Sequence, residues 1–144
     1  MAFRVLSGPD MPNYTLLWNA PAQCVEFTWN GFVKGADFQD GCNAMLKELT
    51  ARKASRLIVD SRKYTVVDPG DQLWSIQDWL PRALAAGLKH FAVVMPESVV
   101  GKLSVQNVIN DKKHTPKDLE LQREMFNSPD DARAWLASTQ RKAA

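Results

Sequence analysis

Charged and aromatic side chains crowd the segment from residue 60 to residue 74, which holds this chain's best candidates for binding. The candidates are Asp60, Ser61, Arg62, Tyr64, Asp68 and Trp74. An aromatic ring beside cationic groups is typical of a surface that docks a protein or an acidic group. A second interpretation stays open, in which the segment is a solvated connector and Asp68 or Asp71 only caps the following helix.

The hydroxyls and carboxylates of this region suggest two further kinds of site. Ser61 and Ser75 could accept a phosphate, which the N-terminus of a helix stabilises. Asp60, Asp68 and Asp71 carry the hard oxygen ligands that bind cations, but they lack the spacing of an EF-hand loop. Exposed serines are more often turn or cap residues, and we predict no metal site.

Signatures of catalysis are missing from the sequence. It contains no nucleophile elbow, no Walker loop and no dinucleotide-binding glycine pattern. His90 and His114 lie far from each other and from any candidate nucleophile. An enzyme would need a titratable pair, and only Asp60 with Glu97 or Asp68 offers one. We therefore predict a protein that is not an enzyme and needs no cofactor.

Length and composition favour one ordinary globular domain. The chain has 144 residues, of which 45% are hydrophobic and 24% are charged, and its net charge is +2. The basic residues between 52 and 63 are interrupted by an apolar run, so we predict no binding to nucleic acid. No stretch approaches the roughly 20 apolar residues of a membrane helix. The N-terminal apolar run is too short for a signal peptide, which predicts a cytoplasmic protein.

The two cysteines, Cys24 and Cys42, lack Cys-x-x-Cys spacing and fall on different predicted elements. We interpret them as reduced, buried thiols that pack as small apolar side chains. A disulfide between them is the alternative.

Two short apolar runs, 57–59 and 91–95, determine the predicted architecture. A strand that is apolar on both sides must be covered on both sides, as central parallel strands are by helices. Residues 14–18 and 25–29 alternate as strands, and the short polar connection between them predicts an antiparallel hairpin.

The remaining elements alternate along the chain. Apolar side chains at helical spacing predict helices over residues 36–53, 69–87, 99–109 and from 128 onward, with a last strand over 121–126. Pro81 should kink or split the second helix. The predicted fold is a single α/β domain with a mixed sheet of four or five strands, an N-terminal β-hairpin and then alternating β-α units. It spans residues 13–139, between tails at 1–12 and 140–144.

This order of elements resembles the STAS fold and its SpoIIAA-like branch, which is related to lipid-carrying CRAL-TRIO domains. The most specific match is Leu57-Ile58-Val59-Asp60, followed after seven residues by Asp68-Pro69-Gly70. Met125-Phe126 and Ala132–Leu136 also resemble the SpoIIAA-like branch. In STAS switch proteins an Asp-Ser-Ser-Gly turn stands at that spacing, and phosphorylation of its second serine controls binding to a partner kinase. Gly70 occupies that position here, so the resemblance implies an interaction domain without this switch.

Five tryptophans, at positions 18, 29, 74, 79 and 135, most simply fill the core. A sharper interpretation is an apolar cavity under the second helix that admits a lipid tail or another apolar ligand. Trp74 and Trp79 are five residues apart, about 140° around a regular helix, so both cannot point straight into the core. One of them is then expected at a pocket mouth or a dimer contact.

Two functions follow from these patterns. The first is a non-enzymatic interaction or regulatory domain that binds a protein partner through residues 61–72 and the exposed face of the second helix. The alternative is a carrier for a small apolar or lipid-like ligand, held between the sheet and the second helix. Bulky exposed side chains on a small domain favour a homodimer over a monomer.

Overall fold

A mixed sheet of six strands forms the middle of the molecule in the computed structural model, which describes residues 3–5, 13–64, 68–111 and 121–143. The strands are β1 (Phe3–Val5), β2 (Tyr14–Asn19), β3 (Cys24–Trp29), β4 (Arg56–Asp60), β5 (His90–Val94) and β6 (Gln122–Phe126). Their order in the sheet is their order in the chain. β1, β2 and β3 pair antiparallel, and β3 to β6 pair parallel.

The two apolar runs lie side by side in this sheet, as the sequence predicts. Leu57 on β4 is in register with Phe91 on β5, and Val59 is in register with Val93. The residues of β4 from Leu57 onward are buried whichever face they point to. The prediction of neighbouring parallel strands covered on both sides is therefore confirmed.

The chain termini hold more regular structure than the predicted tails. Phe3–Val5 pairs with β2 and so gives the sheet one strand more than expected. This strand satisfies backbone groups on the outer edge of β2 that would otherwise be left unpaired. At the other end, the last helix continues through Ala143. The rest of the segment 1–12 and His114 lie outside the described residues.

Helices and one π-helical turn connect and cover the strands. They are α1 (Ala36–Arg52), α2 (Pro69–Trp74), the π segment (Ser75–Trp79), α3 (Leu80–Ala85), α4 (Val99–Ile109) and α5 (Pro129–Ala143). Ser128 caps α5, because its Oγ accepts a hydrogen bond from the backbone N–H of Asp131 at 3.2 Å.

Pro81 splits the second predicted helix, as the sequence predicts, yet the chain stays helical through the break. The residues at both junctions keep right-handed helical dihedral angles. A proline has no N–H to donate to the carbonyl four residues earlier, which here belongs to Gln77. The π segment directly precedes α3 and takes up this irregularity.

The sheet separates two layers of helices. α5 packs on one face, where Ala132 and Leu136 are fully buried against Ile58 and Ala92. α1, α2, the π segment, α3 and α4 cover the other face. The largest core cluster lies there and contains Phe27, Trp29, Phe38, Met45, Leu49, Leu57 and Trp79.

A buried carboxylate ties α5 to the hairpin of β2 and β3. Glu26 accepts hydrogen bonds from the guanidinium of Arg133 at distances down to 2.8 Å and from the side-chain amide of Asn19 at 2.8 Å. Asn19 in turn accepts a hydrogen bond from the backbone N–H of Ala22. The charge of Glu26 is thus fully partnered although the side chain is buried.

Cys24 and Cys42 are free, buried thiols, as expected. Burial raises the pKa of both thiols, for Cys24 to about 12, so both stay protonated at neutral pH. Among the described helices, none is both long and apolar enough to cross a membrane.

Candidate ligand-binding cavity

A cavity of about 130 Å³ lies between the sheet and the layer that α1, the π segment and α4 form over it. Its floor comes from β3, β4, β5 and β6, and its walls come from the three helical segments. The described lining residues are Trp29, Phe38, Cys42, Met45, Val59, Ser61, Tyr64, Ser75, Ile76, Trp79, Leu80, Phe91, Val93, Val105, Val108, Ile109 and Arg123. Most of these side chains are apolar or aromatic, as in sites for small organic ligands.

Aromatic rings that pack against one another form much of the wall. Trp29 stacks on Phe38 with 5.3 Å between ring centroids and meets Tyr64 edge-on at 5.4 Å. Trp79 meets Phe91 edge-on at 6.3 Å. Each ring limits the rotation of its neighbours, so the wall keeps its shape in the absence of a ligand.

Two hydrogen bonds fix this wall to the backbone. The indole N–H of Trp79 donates to the carbonyl oxygen of Cys42 at 2.7 Å. The hydroxyl of Tyr64 donates to the carbonyl oxygen of Val33 at 2.7 Å. Both polar atoms therefore have partners away from the cavity, which leaves the ring surfaces to face it.

The π segment forms one side of the cavity through Ser75, Ile76 and Trp79. In a π-helical turn, residues five apart lie closer to the same side than they do in a regular helix. Trp74 and Trp79 therefore lie closer to the same side than the predicted 140°. Trp79 is buried, whereas Trp74 is half-buried and packs edge-on against Phe38 at 6.1 Å.

Asp60 and Arg62 partner each other at the carboxyl end of β4. The Asp60 carboxylate is buried, and the Arg62 guanidinium, 44% exposed, binds it with N–O distances down to 2.8 Å. This hydrogen bond raises the pKa of Arg62. The pair satisfies both charges and anchors the loop that begins at Ser61.

Tyr64 lies in the core, not on the loop surface that the sequence analysis assigned to docking. Only 3% of the residue is exposed, because its ring fills the space between Trp29 and Phe38. The docking interpretation therefore loses the aromatic ring of Tyr64, one of its six candidate side chains. The ring instead contributes to the cavity wall.

Asp68 caps the following helix, which is the second interpretation that the sequence left open. Its carboxylate accepts hydrogen bonds from the backbone N–H groups of Gly70 at 3.0 Å and Asp71 at 3.4 Å, which caps α2. The buried carboxylate of Asp71 accepts a hydrogen bond from the N–H of Gly35 at 2.9 Å. Both carboxylates thus hold the start of α2 in place beside α1.

Among the described residues, no three His, Cys, Asp or Glu side chains form a group that could hold a metal ion. Of the carboxylates considered for a catalytic pair, Asp60 binds Arg62 and Asp68 caps a helix. Ser61 is buried and lines the cavity, and the Ser75 hydroxyl donates to the carbonyl oxygen of Gln72 at 2.8 Å.

Arg123 is the charged residue of the cavity, and the sequence did not single it out. It lies on β6 in register with Phe91, and alternation along the strand turns both residues toward the cavity face. Burial lowers the pKa of its guanidinium. The sequence could have indicated this residue as an arginine at an inward-facing position of the last strand. The alternation of apolar and polar side chains along that strand is weak, however, so the inward face was hard to recognise.

Comparisons of the chain with protein-family models, with curated proteins and with solved structures give no significant match. The resemblance to the STAS fold and its SpoIIAA-like branch stays a prediction. The lining and size of the cavity are therefore the basis for a candidate function.

Proposed function

We propose that this protein binds a small apolar ligand in the cavity between the sheet and the π segment. The observation that carries the proposal is a preformed space of about 130 Å³ with an aromatic wall whose polar atoms are bonded elsewhere. An engineered apolar cavity of ~150 Å³ in another protein stays dry and binds benzene. A space of this size and lining therefore suits a body about as large as one aromatic ring.

A well-packed interior seldom leaves such a space without a use. Side chains around an empty cavity lose dispersion contacts, at about 24 cal/mol for each Å³ in core-truncation experiments. An apolar ligand restores these contacts and releases no hydrogen bond from the wall. Binding is then favourable without a large rearrangement of the protein.

A pair of valines on α4 tests this proposal. Val105 is buried and lines the cavity, whereas Val100 lies on the same helix with 62% exposure. We expect benzyl alcohol to bind the parent protein in isothermal titration calorimetry. Val105→Phe, which fills the cavity, should weaken this binding at least tenfold, and Val100→Phe should leave it unchanged.

Ile109→Phe serves as a second filling variant, because Ile109 lines the cavity but is only half-buried and tolerates a larger ring. Native mass spectrometry of the purified parent protein would also reveal a retained ligand. The proposal is wrong if benzyl alcohol does not bind the parent protein, or if folded filling variants bind it as well as the parent does.

A protein-docking function is the second candidate, and the exposed guanidinium of Arg62 together with the half-buried ring of Trp74 supports it. Trp74→Ser combined with Arg62→Lys tests it while keeping a cation beside Asp60. The immobilised double variant should then fail to capture a protein partner that the immobilised parent protein captures. The affinity of the double variant for benzyl alcohol should be unchanged. The expected homodimer also stays a prediction, which sedimentation equilibrium would test.

A further inference from the structure

Arg123 differs from the other arginines with described side chains. Arg52, Arg62, Arg82 and Arg133 each form an ion pair, and Arg56 donates to the hydroxyl of Thr139. Arg123 is half-buried, and within the described part of the chain neither an ion pair nor a hydrogen bond is found for its guanidinium. Removing a cation from water without a partner is unfavourable. Such a group is therefore available to an anion that enters the cavity.

The position of Arg123 relative to the aromatic wall restricts what this anion can be. Arg123 neighbours Phe91 across β5 and β6, and the ring of Phe91 meets the ring of Trp79 edge-on. Of the lining residues that the structure describes, Arg123 alone is charged. One cation at the edge of an apolar space matches one negative charge joined to an apolar body.

We infer that the ligand is a small aromatic carboxylate, whose carboxylate pairs with Arg123 while its ring packs against Trp79 and Phe91. This inference rests on the proposed function and adds the chemical class of the ligand. A planar carboxylate accepts two parallel hydrogen bonds from a guanidinium. An aromatic ring gains offset or edge-on contacts with the rings of the wall.

The register of β4, β5 and β6 indicates the direction in which such a ligand would lie in the cavity. Arg123 and Ser61 both line the cavity, but Ser61 follows Asp60, which is in register with Val94, whereas Arg123 is in register with Phe91. The two side chains are thus four residues apart along the strand direction, or about 13 Å. The carboxylate is held near the amino ends of the parallel strands, and the ring extends toward their carboxyl ends.

Benzoate and benzyl alcohol, which differ mainly in charge, test the inference by titration calorimetry on the full chain. We expect the parent protein to bind benzoate at least tenfold more tightly than benzyl alcohol. Arg123→Gln should remove this preference, so that the variant binds the two compounds with similar affinity. Arg123→Lys keeps the positive charge but cannot donate two parallel hydrogen bonds, so it should retain part of the preference. Arg82→Gln, on an exposed arginine away from the cavity, is the control and should change neither affinity.

Each outcome decides one of the two proposals. If benzyl alcohol binds but benzoate binds no better, or if Arg123→Gln keeps the preference, the ligand class is wrong and the proposed function stands. If the parent protein binds neither compound, the proposed function fails and this inference fails with it. Should Arg123→Gln not fold by circular dichroism, Arg123→Lys decides, because full retention of the preference would contradict a bidentate carboxylate.

Discussion

The face of the sheet that α5 covers is lined mainly by small and aliphatic side chains, whereas most of the buried aromatic rings lie over the opposite face. Cys24, Ala92 and Val94 of the sheet pack under Ala132 and Leu136 of α5. On the opposite face, Trp29, Phe38 and Trp79 surround the cavity. Small and aliphatic side chains fill the space under a helix closely, whereas large rigid rings leave a space between them here.

The two faces also differ in how they treat charge. On the α5 face, Glu26 is buried but has Arg133 and Asn19 as partners. On the cavity face, Arg123 is half-buried, and the described residues offer it no partner. The first arrangement serves the fold, and the second leaves an interaction for a ligand. The comparison predicts that equivalent substitutions on the two faces change the free energy of unfolding by very different amounts.

Arg133→Met should give the largest effect, because it leaves the buried carboxylate of Glu26 without its cation. Breaking a buried ion pair from one side typically costs about 3–5 kcal/mol. Urea denaturation would measure this loss in the free energy of unfolding. The double variant Glu26→Leu with Arg133→Met, which removes both charges, should recover most of it. A loss below about 1 kcal/mol in the single variant would contradict the assigned role of the pair.

Gly41→Ala should have the next largest effect, on the cavity face. A Cβ atom at this position in α1 would lie 2.7 Å from the ring of Trp29, so the ring must move. Overpacking costs about 1–3 kcal/mol, and the better helix propensity of alanine returns up to ~1 kcal/mol. We expect a net loss of about 1–2 kcal/mol in urea denaturation and weaker binding of benzyl alcohol, since Trp29 lines the cavity.

Thr50→Ala is the matched control for this change, because Thr50 is exposed on the same helix. It should alter neither unfolding nor ligand binding appreciably. Unchanged stability in Gly41→Ala would mean that Trp29 can shift freely, and the rigid wall would then be wrong.

Arg123→Met, the counterpart of Arg133→Met, should leave the free energy of unfolding within about 0.5 kcal/mol of the parent value or above it. The reason is that the substitution removes a half-buried charge without breaking an ion pair among the described residues. Thermal unfolding of the ligand-free protein would measure the change. A loss like that of Arg133→Met would show that Arg123 supports the fold, and the contrast between the two faces would disappear.

His90 gives the smallest predicted effect and is an exception to the α5 face. Its Nδ1 is buried without a hydrogen bond in the described part of the chain, and its ring meets Trp135 edge-on at 5.8 Å. Burial lowers the pKa of His90 below its ordinary value of 6.5. Between the lowered pKa of the folded state and 6.5, the unfolded chain binds more protons than the folded chain. The stability that neutral His90 contributes above pH 6.5 is therefore lost as the pH falls through this range.

His90→Phe should keep the ring contact and abolish this titration. Melting temperatures of both proteins at pH 7.5 and pH 5 would measure the effect, with a smaller decrease on acidification expected for the variant. Equal decreases would show that His90 does not contribute to the pH dependence.

Much of the fold could be predicted because its signals are local. The runs 57–59 and 91–95 are apolar at every position, which places a strand between two layers whatever its neighbours are. Pro81 disrupts a helix through its own missing N–H. By contrast, the pairing of Phe3–Val5 with β2 depends on a distant edge, and three residues are too few to give a pattern.

The site was harder to predict, because its determinants are contacts between distant residues. The hydroxyl of Tyr64 finds its partner at Val33, 31 residues away, and nothing near Tyr64 in the sequence distinguishes a buried ring from an exposed one. A cavity is also a property of what several side chains leave unfilled. The sequence could suggest an apolar pocket under the second helix, but it could not show that Arg123 lies at its edge.

The π segment lets the helix over this pocket accommodate one extra residue without turning the helices on either side. Its hydrogen bonds close over five residues where a regular helix uses four, so the turn contains one residue in excess. Loss of one residue within Ser75–Trp79 would let a regular helical turn form, and the turns on either side would stay nearly in phase because a regular turn holds one residue fewer. The deletion would change which side chains of this segment face the cavity, while α2 and α3 would keep their orientation on the sheet.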